Sequence, residues 1–122
     1  MTNLCPFCEP GEPLLANDLA AAIFDANPVA PGHLLVLTRR HVASYFDATA
    51  EEKAALFELV DAARALLEQR FQPSGYNIGV NVGAVAGQTI MHLHVHLIPR
   101  YRDDVADPRG GVRGVIPARQ NY

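Results

Sequence analysis

The chain predicts an α+β fold in which an antiparallel sheet of about five strands carries one long helix and a short one. Three observations support this. One long segment has helical periodicity and a capping signal at its start. Several short apolar or alternating runs are bounded by Gly and Pro and read as strands. These strands do not alternate with helices, which argues against a parallel sheet built from βα units. The 122 residues, 49% of them apolar, suit a single domain spanning 1–122 with one core.

The elements follow in chain order. Residues 1–13 form an irregular arm, broken by Pro6, Pro10, Gly11 and Pro13. "LAAAIFDAN" (Leu19 to Asn27) reads as a strand, although alanine is a weak strand former. "PVAPG" is a turn, and "HLLVLTRR" (His33 to Arg40) is a short apolar run that reads as a buried strand. Thr49 with Glu52 forms a capping box that opens the helix. Leu56, Leu59, Val60, Ala63, Leu66 and Leu67 follow at helical spacing, so one face packs on the core. Pro73 to Gly75 stop it. "YNIGVNVG" (Tyr76 to Gly83) alternates as a strand, "AVAGQT" is a loop, and "HLHVHLIP" is a strand ended by Pro99. Residues 101–122 form an irregular Gly- and Arg-containing tail.

Composition narrows the function. The net charge is −3, whereas a nucleic-acid binder carries a basic surplus, so no nucleic-acid partner is expected. No run approaches the roughly 18 apolar residues of a membrane span, and the first twenty residues lack the basic start and apolar stretch of a signal peptide. Two cysteines in such a chain point to metal or redox use, not to a structural disulfide. A cytoplasmic protein with no membrane partner is expected.

The chemistry concentrates in "MHLHVHLIPR", Met91 to Arg100. Side chains alternate across a strand, so Leu93, Val95 and Leu97 face the core. His92, His94 and His96 then share the other face, roughly 7 Å apart in succession. Lys, Glu or Thr would ordinarily fill solvated positions there. Three imidazoles suggest either a metal site, which needs further ligands, or nucleophilic catalysis. A pKa of about 6.5 leaves imidazole mostly unprotonated at neutral pH. Gln88, Thr89 and Asn81, with loop N–H groups near Gly83 and Gly87, supply donors for an anion. No Asp or Glu lies between Glu68 and Asp103, which favours an anion beside the histidines.

His92-Leu93-His94-Val95-His96-Leu97-Ile98 resembles the His-φ-His-φ-His-φ-φ signature of the histidine triad family of nucleotide hydrolases and transferases. "PVAPGHLLVLTRRH" and "AGQT" are similar to that family too, so the resemblance covers about Leu4 to Arg100. The segment from His96 onward resembles a bacterial branch described as diadenosine polyphosphate hydrolases. The resemblance implies a histidine-triad-like α+β sandwich and a homodimer with one continuous sheet. It implies that His94 attacks the α-phosphorus to form a nucleotidyl-histidine, with its second nitrogen held by a backbone carbonyl. His96 would bind the α-phosphate or the leaving oxygen; transferases of the family carry Gln there, so His96 favours hydrolysis. Asn81, Gln88 and Thr89 match phosphate contacts, Asp25 matches an acid on the ribose hydroxyls, and His33 matches a supporting histidine. An ordinary hydrogen-bonded histidine at a strand start is the plainer reading of His33.

Cys5 and Cys8 have the C-x₂-C spacing that lets two thiolates reach one metal. No thioredoxin-like βαβ pattern surrounds them. Family members with this motif resemble zinc proteins, which implies a closed structural zinc, one per chain, on Cys5, Cys8, His41 and His92. The alternative is a pair of reduced cysteines with His92 bonded to His33. Arg109 and Arg113 could touch a polyphosphate or a second subunit, or could sit in a solvated tail.

The functional expectation is a nucleotide hydrolase acting at an α-phosphate, with a dinucleoside polyphosphate as substrate. The enzyme alternatives are adenosine phosphoramidase and nucleotidyl transferase. A nucleotide-binding regulatory module and a three-histidine metalloenzyme are the others.

Overall fold

The computed structural model describes residues 5–122; Leu4 and the rest of the arm's first four residues lie outside the described residues. The elements are β1 (Leu15–Ala16), β2 (Ala20–Phe24), β3 (Leu34–Thr38), α1 (Ala50–Arg70), β4 (Gly75–Gly79) and β5 (His94–Arg100). The five strands form one sheet in the order β1-β2-β3-β5-β4, and every neighbouring pair is antiparallel. The expected short helix appears as 3-10 turns, at Tyr45–Asp47, Ala84–Ala86, Gly111–Val115 and Pro117–Arg119.

The helix forms where the capping signal places it. Thr49 Oγ1 accepts from Glu52 N at 3.0 Å, and Glu52 Oε1 accepts from Thr49 N at 2.9 Å. Leu56, Leu59, Val60, Ala63 and Leu67 are buried against one face of the sheet, with Ala20, Ala22, Leu34, Val36, Leu93, Val95 and Leu97. Leu66 is only half-buried, at the margin of this face. Gln72 ends the helix at φ 52°, because the Pro73 that follows disfavours the helical region for its predecessor. Gly32 turns β2 into β3 at φ 86°, and a Cβ there would stand 3.0 Å from Leu67 Cδ2.

The other face of the sheet is covered too. Phe7 from the arm packs with Ala21, Leu35 and Leu37, flanked by Ile23 and Ile90. All five residues of β3 are therefore buried, which accounts for its unbroken apolar run. The short β1, which the sequence did not suggest, pairs with β2 through a turn held by Asn17, whose Oδ1 accepts from Leu19 N and Ala20 N at 3.1 and 2.8 Å.

Several boundaries differ from expectation, three of them on β4 and β5 near the histidines. β4 ends at Gly79, so Asn81 follows the strand instead of lying on it. β5 starts at His94, not His92, because Leu93 N donates to Val42 O at 2.7 Å, outside the ladder. Pro99 does not end β5. The β3 side of β5 is unpaired beyond Leu97, so a residue without an N–H fits there.

Candidate functional site

The register sets His94 opposite Leu37 and His96 opposite Leu35, on the face away from α1. Their rings lie 5.1 Å apart, and the His96 ring lies 5.2 Å from that of His33. His92 does not continue the row. It precedes the strand, is fully buried, and packs against His41 at 5.1 Å.

Hydrogen bonding assigns a tautomer to each ring. His94 Nδ1 lies 2.8 Å from His92 O. A carbonyl accepts only, so Nδ1 donates and Nε2 keeps its lone pair. Val29 N donates to His33 Nδ1 at 3.1 Å, which puts the His33 proton on Nε2. That nitrogen is 3.0 Å from His96 Nδ1 and 3.5 Å from Asp25 Oδ2. His96 accepts at Nδ1 and carries its own proton on Nε2. Burial lowers the pKa of His33, partly opposed by Asp25. Burial also lowers that of His96, helped by His94 and His33. Both rings are thereby kept neutral at physiological pH, as these tautomers require. Asp25, His33 and His96 also converge closely enough to suggest a metal. The proton on His33 Nε2 instead makes them a hydrogen-bonded chain.

A separate set, Cys5, Cys8, His41 and His92, brings one donor atom per residue within 4.8 Å of every other. Cys8 Sγ is 3.2 Å from His41 Nδ1, and Cys5 Sγ is 3.3 Å from His92 Nδ1. Bond lengths of about 2.0–2.3 Å in a tetrahedral site imply ligand separations of about 3.3–3.8 Å, so this set can hold a metal ion. His92 Nε2 donates to Thr38 O at 2.6 Å, which leaves Nδ1 as the donor aimed at the sulfurs. Burial lowers the pKa of His92, so the ring stays neutral and able to ligate. The alternative bond from His92 to His33 does not form, since His33 faces His96.

The four expected substrate contacts separate. Asp25 borders a cavity of about 790 Å³ lined by Phe7, Ile23, Leu35 and Ile90, and its Oδ1 accepts from Asn27 N at 2.8 Å. Asn81 lines a second cavity, about 440 Å³, together with His33 and His96. Thr89 is exposed on the loop before the histidines. Gln88 departs from expectation. Its Oε1 accepts from Gly83 N at 2.9 Å, and its Nε2 donates to Ala43 O and Ile90 O at 2.9 and 3.2 Å. The buried amide braces the loop and has no bond to spare for a phosphate.

Sequence reasoning missed Phe7. Its ring meets His94 edge-on at 5.0 Å and His92 at 6.1 Å. The one signal was its place between the two cysteines, since a metal that closes Cys5 and Cys8 also fixes Phe7. The carbonyl of Thr38 and the N–H of Val29 were also missed, because backbone groups leave no residue-type signature.

The HIT domain family model matches residues 9–103. The bis(5'-nucleosyl)-tetraphosphatase [asymmetrical] of Schizosaccharomyces pombe is 40% identical over 73% of this chain, which spans only 49% of that relative's length. A HIT family protein from Bacillus anthracis superposes with a TM-score of 0.78 at 31% identity, covering 85% of this chain and 78% of that one. A zinc-bound histidine triad family protein from Mycobacterium smegmatis superposes with a TM-score of 0.76 at 25% identity, covering 85% and 80%.

Proposed function

The chain belongs to the HIT domain family, and from that premise we propose that it hydrolyses nucleotides at the α-phosphate, with dinucleoside polyphosphates as substrates. The observation that carries this reading is the bond between His94 Nδ1 and His92 O, which leaves His94 Nε2 as a fixed nucleophile beside His96. The name of the fission yeast relative supports the substrate class.

In the first step the His94 Nε2 lone pair forms an N–P bond to the α-phosphorus. The bond from phosphorus to the leaving phosphate oxygen breaks, and that oxygen keeps the electron pair. His96 Nε2–H donates to the phosphate or the departing oxygen, while His33 holds the other side of the ring. Water then attacks phosphorus, the N–P bond returns its electrons to His94, and a nucleoside monophosphate and a proton leave. The larger cavity takes the retained nucleoside: Phe7, Ile23, Leu35 and Ile90 face the base and Asp25 faces the ribose hydroxyls. A polyphosphate leaves as a weak base, whereas an amine must be protonated first. Dinucleoside polyphosphates should therefore outrun adenosine phosphoramidates.

The Cys5, Cys8, His41 and His92 set is read as a structural zinc site. When bound, the ion supplies only cross-linking, pinning the arm and with it Phe7 against His94. The zinc-bound neighbour supports this assignment. We further place the protein in the cytoplasm as a homodimer that joins two sheets; among the described residues no helix is long and apolar enough to cross a membrane.

The test is turnover of diadenosine tetraphosphate by the wild type and by His94→Asn. The wild type should release AMP and, when denatured at alkaline pH, where a P–N bond survives, carry a nucleotidyl adduct at position 94. The variant should lose at least about a thousandfold in kcat while still binding AMP. Turnover that survives in His94→Asn would overturn the mechanism.

A further inference from the structure

The tail beyond Pro108 has no part in the chemistry above, and it lies outside the matched family region, which ends at residue 103. It is nevertheless a built element. Arg113 Nη2 donates to Arg119 O at 2.9 Å, and its guanidinium lies 4.6 Å from the centre of the Tyr122 ring. Gly110 sits at φ 89° against the backbone of Gln120, and a Cβ on Gly114 would stand 2.9 Å from Gln120 Oε1. A Cβ on Gly111 would stand 3.2 Å from Asn77 Nδ2, so the tail rests on β4. Arg109, paired with Asp107 at 3.4 Å, and Arg113 are therefore committed to folding the tail.

The folded tail makes one wall of the second cavity. Val112 and Val115 face Val29 and Ile98 there, and Asn81 and His96 border the same space. The volume, about 440 Å³, lies within the range of roughly 300–1,000 Å³ typical of small-molecule sites. Asp25 borders the larger cavity and His33 the smaller one, and their side chains are 3.5 Å apart. His94 touches Phe7 of the first cavity and His96 of the second. The reacting histidines thus stand between an apolar cavity and an open, largely apolar groove, only one of which the retained nucleoside needs.

We infer that the tail-walled cavity binds the second nucleoside of a dinucleoside polyphosphate, the one that leaves with the outgoing phosphates. This rests on the nucleotide-binding part of the function proposed above, and it deepens it by adding a leaving-group site. The chemistry suits an aromatic base: valine and isoleucine walls for its faces and the Asn81 amide for a polar edge. An open apolar groove bordered by the imidazole that meets the departing phosphate has no use for a bare phosphate, but it suits a base tethered to one.

The experiment compares dissociation constants for AMP and for a methylene-bridged diadenosine tetraphosphate on the full chain. It uses the wild type, Val112→Asp and Val115→Asp, with circular dichroism to check folding. The wild type should bind the dinucleotide at least about tenfold tighter than AMP, and either carboxylate should erase most of that advantage. Val115→Ser, at a position 77% exposed, is the milder variant and should show a smaller loss in the same direction. Equal affinity for the two ligands in the wild type, or an advantage unchanged in all three variants, would overturn the inference. Tight dinucleotide binding without turnover would sink the hydrolase reading and leave this site standing.

Discussion

Glu52→Gln tests how the helix cap is tied to the site. The Glu52 carboxylate is almost fully buried and accepts from Arg40 Nη2 and Nε at 2.8 and 3.1 Å and from Thr49 N at 2.9 Å. Arg40 foremost, then the Thr49 N–H, hold its pKa at about 2 against an ordinary 4.5. Through linkage that drop corresponds to an upper bound of about 3 kcal/mol at neutral pH. Arg40 is 53% exposed, and solvent screening reduces the expected figure to about 1–2 kcal/mol. Because the folded pKa is the lower one, this stability is fully present above about 4.5 and is lost as the pH falls towards 2. Urea unfolding of both proteins at pH 7, 5, 3 and 2 reads it directly. The gap between wild type and variant should hold at pH 7 and 5, shrink at pH 3 and nearly close at pH 2. A gap that stays constant with pH, or none at pH 7, would refute the reasoning. The site is affected because Arg40 stands between Thr38, whose carbonyl orients His92, and the ligand candidate His41.

Cys8→Ser should lower zinc content from about one ion per chain to well below that and reduce the melting temperature, read by elemental analysis and calorimetry. His33→Phe removes the donor to His96 Nδ1; kcat should fall about five- to tenfold, the worth of one hydrogen bond near 1 kcal/mol, with AMP affinity held, as steady-state kinetics and calorimetric titration will show. Gly110→Ala brings a methyl into the backbone of Gln120 at a positive φ, so the tail should open. Limited proteolysis should then cut beyond Pro108 faster than in wild type, while urea unfolding of the core shifts by no more than about 1 kcal/mol.

Local signals in the sequence were read well where local physics decides. The Thr49–Glu52 box needs only three residues of spacing, and both of its bonds are present. The burial of Leu93, Val95 and Leu97 follows from strand parity. The same alternation reaches past the ladder: Leu93 N has left it for Val42 O, yet His92 still meets Phe7 on the side of the sheet where His94 does, and only its ring is drawn off towards the cysteines. Gln88 looked like a phosphate donor by residue type, yet three backbone groups brought by the fold saturate its amide. The unbroken β3 run implied a cover on both faces, but not that Phe7 would supply part of it. The tail reads as irregular, yet its Gly110 and Gly114 are close contacts, a distinction that depends on what Gln120 does six to ten residues later.

One motif supplies three imidazoles, and their separation into different chemistries follows from the partner of the second nitrogen. His92 gives its Nε2 proton to Thr38 O, so Nδ1 faces two sulfurs. His94 gives its Nδ1 proton to His92 O, so Nε2 faces outward with a lone pair. His96 Nδ1 accepts a hydrogen bond from His33 Nε2–H, so the proton of His96 sits on Nε2 and presents a donor. The proposed roles of metal donor, nucleophile and hydrogen-bond donor thus follow from two carbonyls and one ring. The carbonyl that orients His94 belongs to His92, the residue whose own orientation a bound metal would hold. A metal on the arm would therefore stiffen the proposed nucleophile through one backbone group and one aromatic contact, without touching the substrate.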